Sequence, residues 1–212
     1  MAPVPDHIRD PAEIYRQSFA IVEAEADLAR LPAAMRGVAL RLIHSCGMPD
    51  IVDDLAFSAG AAEAGRAALG AGKAVFCDVE MVKAGIIASR LPADNPLICT
   101  LNDPQAAEIG KRTQYTRSAA GVELWREQLS GSIVVIGNAP TALFHLLELI
   151  DNGWPKPALI IGMPVGFVGA AESKAELAAD PRGCDFILVH GRRGGSAMAS
   201  SVVNALCSGD GR

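Results

Sequence analysis

The sequence predicts an α/β fold: a doubly wound, mainly parallel sheet of about five or six strands with helices on both faces. Three observations carry that expectation. Short runs rich in valine, isoleucine and leucine recur from residue 74 onward. They are apolar without alternation, as strands covered on both faces are. Helical segments separate each run from the next, which is the pattern of repeated β-α units.

The elements follow in order. Asp10-Pro11-x-Glu13 is a helix start, with a capping oxygen, a proline at the first helical position and a carboxylate three residues beyond the cap. That helix is expected to run to about residue 30. A second spans 33–46, with Gly47 placed to stop it. Strands are predicted at 74–78, 97–101, 133–137, 159–162 and 186–190. Helices are predicted near 79–87, 117–129, 140–152, 173–179 and 196–207. No repeat, low-complexity tract or linker divides the 212 residues, so residues 1–212 are expected to form a single domain.

Composition narrows the function. Half of the residues are hydrophobic, 5% are aromatic and 20% are charged, with a formal net charge of -5. So much apolar material excludes disorder. An acidic balance with few stacking rings argues against a general nucleic-acid binder. It does not exclude a local basic site. Cys46, Cys77, Cys99, Cys184 and Cys207 are odd in number and contain no C-x-x-C pair. They read as reduced thiols of a cytosolic protein, not as a disulfide framework or zinc site. Asp6, Arg9 and Asp10 stand where an export signal would place its apolar core, and no apolar stretch is long and unbroken enough to span a bilayer. The expectation is a soluble cytoplasmic protein with no membrane partner.

Ligands of such sheets bind beyond the carboxyl ends of the strands. The residues expected there are polar and glycine-rich: Asp78, Asn102, Gly137-Asn138, the segment from Gly162, and Gly191 to Ser196. The loop Gly191-Arg192-Arg193-Gly194-Gly195-Ser196 joins a strand to a helix. Its backbone N–H groups and arginines suit a carboxylate or phosphate, though a solvated surface turn has the same composition. Gly162, Gly166 and Gly169 are spaced four then three and do not form a dinucleotide fingerprint. Asn138 either caps the following helix, the commoner use, or offers its amide to a ligand. Arg117 opens a helix where the dipole disfavours a cation, so it calls for an anionic ligand or a nearby acid. His7 and His145 show no metal-ligand spacing.

His44 stands out within its helix. Met35, Val38, Ala39, Leu42, Ile43 and Cys46 form one apolar stripe, and His44 falls roughly opposite its middle. That position disfavours a core histidine and leaves a surface residue or a functional one. An imidazole with an ordinary pKa of about 6.5 exchanges protons near neutrality.

Several blocks together resemble the precorrin-8X methylmutase family. They are Ile14-Tyr15-x-x-Ser18-Phe19, Ile43-His44-Ser45-Cys46-Gly47, Cys77-Asp78-x-Glu80-Met81-Val82, Thr116-Arg117-Ser118-Ala119, Gly137-Asn138-Ala139-Pro140-Thr141-Ala142-Leu143, the segment from Gly162 to Lys174, and Gly194-Gly195-Ser196. The resemblance extends from about Tyr15 to about Ala205. It implies an isomerase of cobalamin biosynthesis, in the corrin branch of porphyrin metabolism, acting as a homodimer without added cofactor or metal. Such an enzyme moves a methyl group from C-11 to C-12 of its tetrapyrrole substrate, converting precorrin-8X to hydrogenobyrinate. Relatives act on cobalt-precorrin-8. By position the resemblance makes His44 the catalytic residue and Arg117 a substrate-binding arginine. Ser18, Asn138, Arg192, Gly195 and Ser196 are placed with the substrate-binding residues. The stretch 102–115 matches poorly and takes no role. Two other readings stand beside this one: a corrin-binding carrier without catalysis, and a nucleotide- or S-adenosylmethionine-dependent enzyme on a similar fold.

Overall fold

The structure, a computed structural model, describes residues 7–208. Residues 1–6, including the Asp6 weighed above against an export signal, lie outside them, as do residues 209–212. Helix α1 covers Pro11–Glu25 and starts as the sequence predicts, with the Asp10 carboxylate accepting the Ala12 N–H at 3.1 Å. It stops short of residue 30: the chain turns extended at Ala26 and makes one 3-10 turn over Leu28–Arg30. Glu13 does not reach back to the cap but accepts from Arg16 and Gln17. Helix α2 covers Ala33–Cys46 and ends at Gly47, whose N–H meets the Ile43 carbonyl at 2.8 Å.

The remaining elements are β1 (Leu55–Phe57), α3 (Ala61–Gly70), β2 (Val75–Cys77), α4 (Glu80–Gly85), β3 (Leu97–Cys99), α5 (Pro104–Thr113), α6 (Arg117–Val122), β4 (Ile133–Ile136), α7 (Pro140–Asp151), β5 (Leu159–Gly162), α8 (Ala170–Ala179), β6 (Asp185–Val189) and α9 (Ser196–Ser208). The helix expected over 117–129 is α-helical only to Val122, after which 3-10 turns run over Glu123–Gln128. Strand β1 and helices α3 and α5 were not expected.

The six strands run in the order β1-β6-β5-β4-β2-β3. All pairings are parallel except β1 against β6, where Leu55 faces Val189. Successive side chains of a strand point to opposite faces, and the core divides accordingly. Ile133, Val135, Leu159, Ile161, Ile187 and Val189 join residues of α1, α2, α3, α4 and α9 on one face. Val134, Ile136, Ile160, Phe186 and Leu188 join Trp125 and residues of α7 and α8 on the other. This is the doubly wound arrangement that unalternated apolar strands imply.

Two features set the carboxyl edge. At the end of β2 the buried Asp78 carboxylate accepts the N–H groups of Gly137, Asn138 and Ala139 at 3.0, 2.9 and 2.7 Å. Burial pushes this carboxyl above its usual range, and the three N–H donors oppose the rise. Asp78 is thus the clasp that joins β2 to the turn before α7. Gly137 in turn lies directly against the start of α9: a Cβ there would stand 2.9 Å from Ser196 Cα.

Candidate active site

His44 sits on the face of α2 that the apolar stripe leaves over, but that face is not open to solvent. Helix α1 lies across it. Tyr15, Ser18 and Phe19 recur at helical spacing and meet the imidazole together. Ser18 Oγ is 2.7 Å from His44 Nδ1. The Tyr15 ring stacks at 5.3 Å between centroids and Phe19 meets the imidazole edge-on at 5.0 Å. The half-buried imidazole is thereby oriented, and with Nδ1 engaged by Ser18, exchange with a ligand falls to Nε2. Burial, and secondarily the Arg41 charge, hold its pKa below the ordinary 6.5.

The imidazole borders two hollows. One of about 410 Å³ is lined by Tyr15, Arg41, Ser45, Gly85, Ile87 and, from α9, Ala197, Ser200, Ser201 and Asn204. The other, about 250 Å³, lies toward Gly47 and includes Ser18, Ile21 and Glu25. Asn204 fixes one wall of the larger: its Oδ1 accepts the Ile87 N–H at 2.8 Å and its Nδ2 donates to the Gly85 carbonyl at 2.9 Å.

From this hollow the rim continues through contacts. Ala197 follows Ser196, which lies against Gly137; the exposed Asn138 comes next. On the first turn of α7, Thr141 Oγ1 is 2.7 Å from Thr116 Oγ1, and Thr116 caps α6 by accepting the Ala119 N–H. Arg117 follows. The exposed Arg117 guanidinium reaches the neutral Asn102 amide oxygen at a long 3.5 Å and takes no carboxylate among the described residues. It borders a separate hollow of about 390 Å³ with Lys111 and Tyr115.

The structure therefore brings His44, Ser18, Ser196 and Asn138 along one edge, with Arg117 farther along it. Some local expectations change. Asn138 does not cap α7; its N–H is held by Asp78, and the cap position is Ala139. Gly195 gives its N–H to the Met163 carbonyl at 2.9 Å, so that donor is not aimed at a ligand. Arg193 is engaged by Asp50 and Asp54 at 2.6 and 2.5 Å, whereas Arg192 is exposed and lies over the Phe167 ring at 5.3 Å. His145 is a buried structural residue held by Glu123 at 2.7 Å. Among the described residues no group of three or more His, Cys, Asp or Glu could hold a metal ion.

The two glycine-rich loops brace one another. Besides the Gly195–Met163 bond, the Gly166 N–H meets the Arg192 carbonyl at 3.2 Å. The wholly buried Lys174 donates from Nζ to the Arg193 carbonyl at 2.6 Å. Its burial pushes the ammonium pKa down to about 8. Gly194 has no room for a side chain, since a Cβ would stand 2.3 Å from the Met163 carbonyl oxygen. Sequence reasoning missed Tyr15, Arg41, Lys174 and Asn204. The available signals were Tyr15 three residues before Ser18, Arg41 three before His44, and polar Ser200 and Asn204 one turn apart on an apolar helix.

The chain is similar to known proteins over nearly its whole length. The profile of the family described as CbiC, precorrin-8X methylmutase, matches residues 13–208. The precorrin-8X methylmutase of Pseudomonas aeruginosa is 61% identical over 203 residues, covering 96% of this chain and 98% of that one. The protein of that name from Sinorhizobium sp. is 51% identical over 95% of this chain and 96% of its own. A cobalt-precorrin-8 methylmutase from Methanothermobacter thermautotrophicus is 36% identical, covering 92% of this chain and 91% of that one. The solved precorrin-8x methyl mutase of Thermus thermophilus superposes with a TM-score of 0.83 at 34% identity, over 93% of this chain and 95% of that one. No helix among the described residues is long and apolar enough to cross a membrane.

Proposed function

Since this chain belongs to the precorrin-8X methylmutase family, we propose that it is the isomerase that moves a methyl group from C-11 to C-12 of the macrocycle, with His44 as the proton or hydrogen-bond donor. The conversion is of precorrin-8X to hydrogenobyrinate, within cobalamin biosynthesis. One observation carries the role of His44: its ring is fixed through Nδ1 by Ser18 while it borders a hollow at the polar edge of the sheet.

The chemistry asks little beyond that. A 1,5-sigmatropic shift of a methyl group changes neither redox state nor atom count. The protein holds the macrocycle in one conformation and places a proton donor where it lowers the barrier. Ser18 orients the imidazole. Arg117 and Arg192, both exposed and with no carboxylate partner among the described residues, receive peripheral carboxylates of the substrate by charge-assisted hydrogen bonds. Asn138, Gly195 and Ser196 line the rim between them. The reading includes a homodimer of single-domain subunits in the cytoplasm, working without an added cofactor. Higher identity to relatives named for precorrin-8X than to the cobalt-precorrin-8 relative supports the metal-free substrate. Neither the carrier nor the S-adenosylmethionine-dependent reading is favoured, because the family is one of methylmutases.

The test is incubation of the purified protein with metal-free precorrin-8X while the visible spectrum is followed. Growth of the hydrogenobyrinate spectrum without additive is expected. Binding without spectral change, or turnover only with S-adenosylmethionine, overturns the reading. In the same assay Ser18→Ala is expected to lower kcat about tenfold, the effect of losing one orienting hydrogen bond, with KM within about twofold of wild type.

A further inference from the structure

We propose that Lys111 and Arg117 together hold one carboxylate arm of the macrocycle in the hollow between α5 and α6, which makes Lys111 a substrate-binding residue. This inference rests on the methylmutase reading above and deepens it at the far end of the same edge. It gives a role to the stretch 102–115, to which the family resemblance assigns none.

The two cations come from elements that converge. Lys111 lies in the last turn of α5 and Arg117 opens α6. Both line the hollow of about 390 Å³, whose other walls are Ala106, Ala107, Gly110 and Tyr115. The side-chain polar groups on offer there are two cations and one phenol. The connection that carries them is fixed. Gln114 takes the left-handed conformation that ends α5, and Thr113 Oγ1 donates to the Ile109 carbonyl at 2.7 Å. Tyr115 packs on the buried His145 ring at 4.5 Å, itself held by Glu123. Thr100 Oγ1 donates to the Gly121 carbonyl at 2.8 Å and seats α6 on the turn after β3. The main chain beneath both cations therefore needs little ordering when a ligand arrives.

Charge selects the ligand. Among the described residues no acid lines this hollow, and the one polar contact of Arg117 is the neutral Asn102 oxygen. The acids nearby are engaged or lie outside it. The Asp103 carboxylate caps α5 at the Gln105 N–H, Glu123 holds His145, and the exposed Glu108 is not a lining residue. Two like charges at one opening repel each other. A carboxylate between them removes that repulsion and gains two attractions. The guanidinium fork matches a carboxylate edge with paired N–H bonds, and the compact ammonium takes a remaining lone pair. Arg112, next in sequence, is also exposed but lines no part of the hollow, so it separates this site from general surface charge.

Equilibrium titration of the full chain with hydrogenobyrinate, followed by its visible absorbance, tests the site without relying on turnover. Lys111→Met is expected to raise Kd about five- to tenfold and Arg117→Met about ten- to thirtyfold, the scale of lost charge-assisted hydrogen bonds. Arg112→Met makes the same change in net charge and is expected to stay within about twofold of wild type. Because both groups hold one arm, the double variant of Lys111 and Arg117 falls clearly short of the product of the two single effects. Lys111→Arg keeps the cation and is expected to bind within about threefold of wild type. In turnover of precorrin-8X, Lys111→Met raises KM and leaves kcat within about twofold, as a loss of uniform binding does. Circular dichroism checks folding, and Lys111→Gln replaces Lys111→Met with the same expectation should the latter not fold. A Kd for Lys111→Met within about twofold of wild type, an equal loss in Arg112→Met, or single effects that multiply in the double variant each overturn the proposal. So does a Lys111→Arg that binds no tighter than Lys111→Met. Wild type that binds hydrogenobyrinate without converting precorrin-8X overturns the methylmutase reading, while the titrations still decide the site. Absence of binding by wild type overturns both.

Discussion

Replacing His44 with alanine lowers kcat by about two to four orders of magnitude, the usual contribution of a positioned acid–base group, while hydrogenobyrinate affinity falls less than about tenfold. The asymmetry follows from the site. The binding groups proposed here, Arg117, Arg192, Asn138 and Ser196, stand on other elements and do not depend on the imidazole for their position. His44 itself is held by α1, so its removal leaves a small gap beside Tyr15 and Phe19 and no displaced loop. The sign of the pH dependence is fixed by the same role. A donor acts in its protonated form, and the His44 pKa in the free protein lies below 6.5. The value of kcat/KM is therefore highest on the acid side and falls as pH rises through that lowered pKa. Single-turnover spectra and product titrations of His44→Ala check the prediction. A folded variant that binds hydrogenobyrinate and keeps kcat within about threefold of wild type contradicts it.

Asp78→Ala is expected to cost about 3–6 kcal/mol of stability. Asp78 is 2% exposed, and its two carboxylate oxygens are the acceptors for three N–H groups of one turn. Each buried donor left without an acceptor costs about 1–3 kcal/mol. Water entering the gap recovers part of the loss. Asp78→Asn keeps one carbonyl oxygen and is expected to fall between alanine and wild type. Because the same turn supports Gly137 against Ser196, the folded fraction of either variant should also bind hydrogenobyrinate more weakly. Urea unfolding monitored by circular dichroism measures the first effect, and an unchanged midpoint for Asp78→Ala would refute it.

Strands β2, β4, β5 and β6 and helices α2, α7 and α9 were legible because their patterns are local: continuous apolar runs or a stripe at helical spacing. Strand β1 is only Leu55–Phe57, half-buried and held by pairing with a strand more than a hundred residues away. Nothing within three residues announces that pairing. Helix α3 is built largely of alanine and glycine, which weakens its periodicity. Helix α5 opens with the same Asp-Pro start as α1, but its mostly exposed, polar surface gave no apolar stripe to follow. The site divides in the same way. His44 was visible as a gap in its own helix's stripe, but the helix that covers it was not. Arg193 looked like an anion receptor because Asp50 and Asp54, which occupy it, come from far upstream. Ser18 entered through resemblance and Arg117 first through its place at a helix start, and their settings became visible only once α1 lay on α2 and Thr116 met Thr141.

The mutual bracing of the loops after β5 and β6 has a thermodynamic meaning. Met163 to Gly195, Arg192 to Gly166 and Arg193 to Lys174 are cross-links made by main chain and one sunken ammonium. Their ordering entropy is lost when the polypeptide folds, not when a ligand arrives. The two segments behave as a single stiff plate. A visiting molecule meets a surface already in its final shape, and a change that loosens either segment is felt at both.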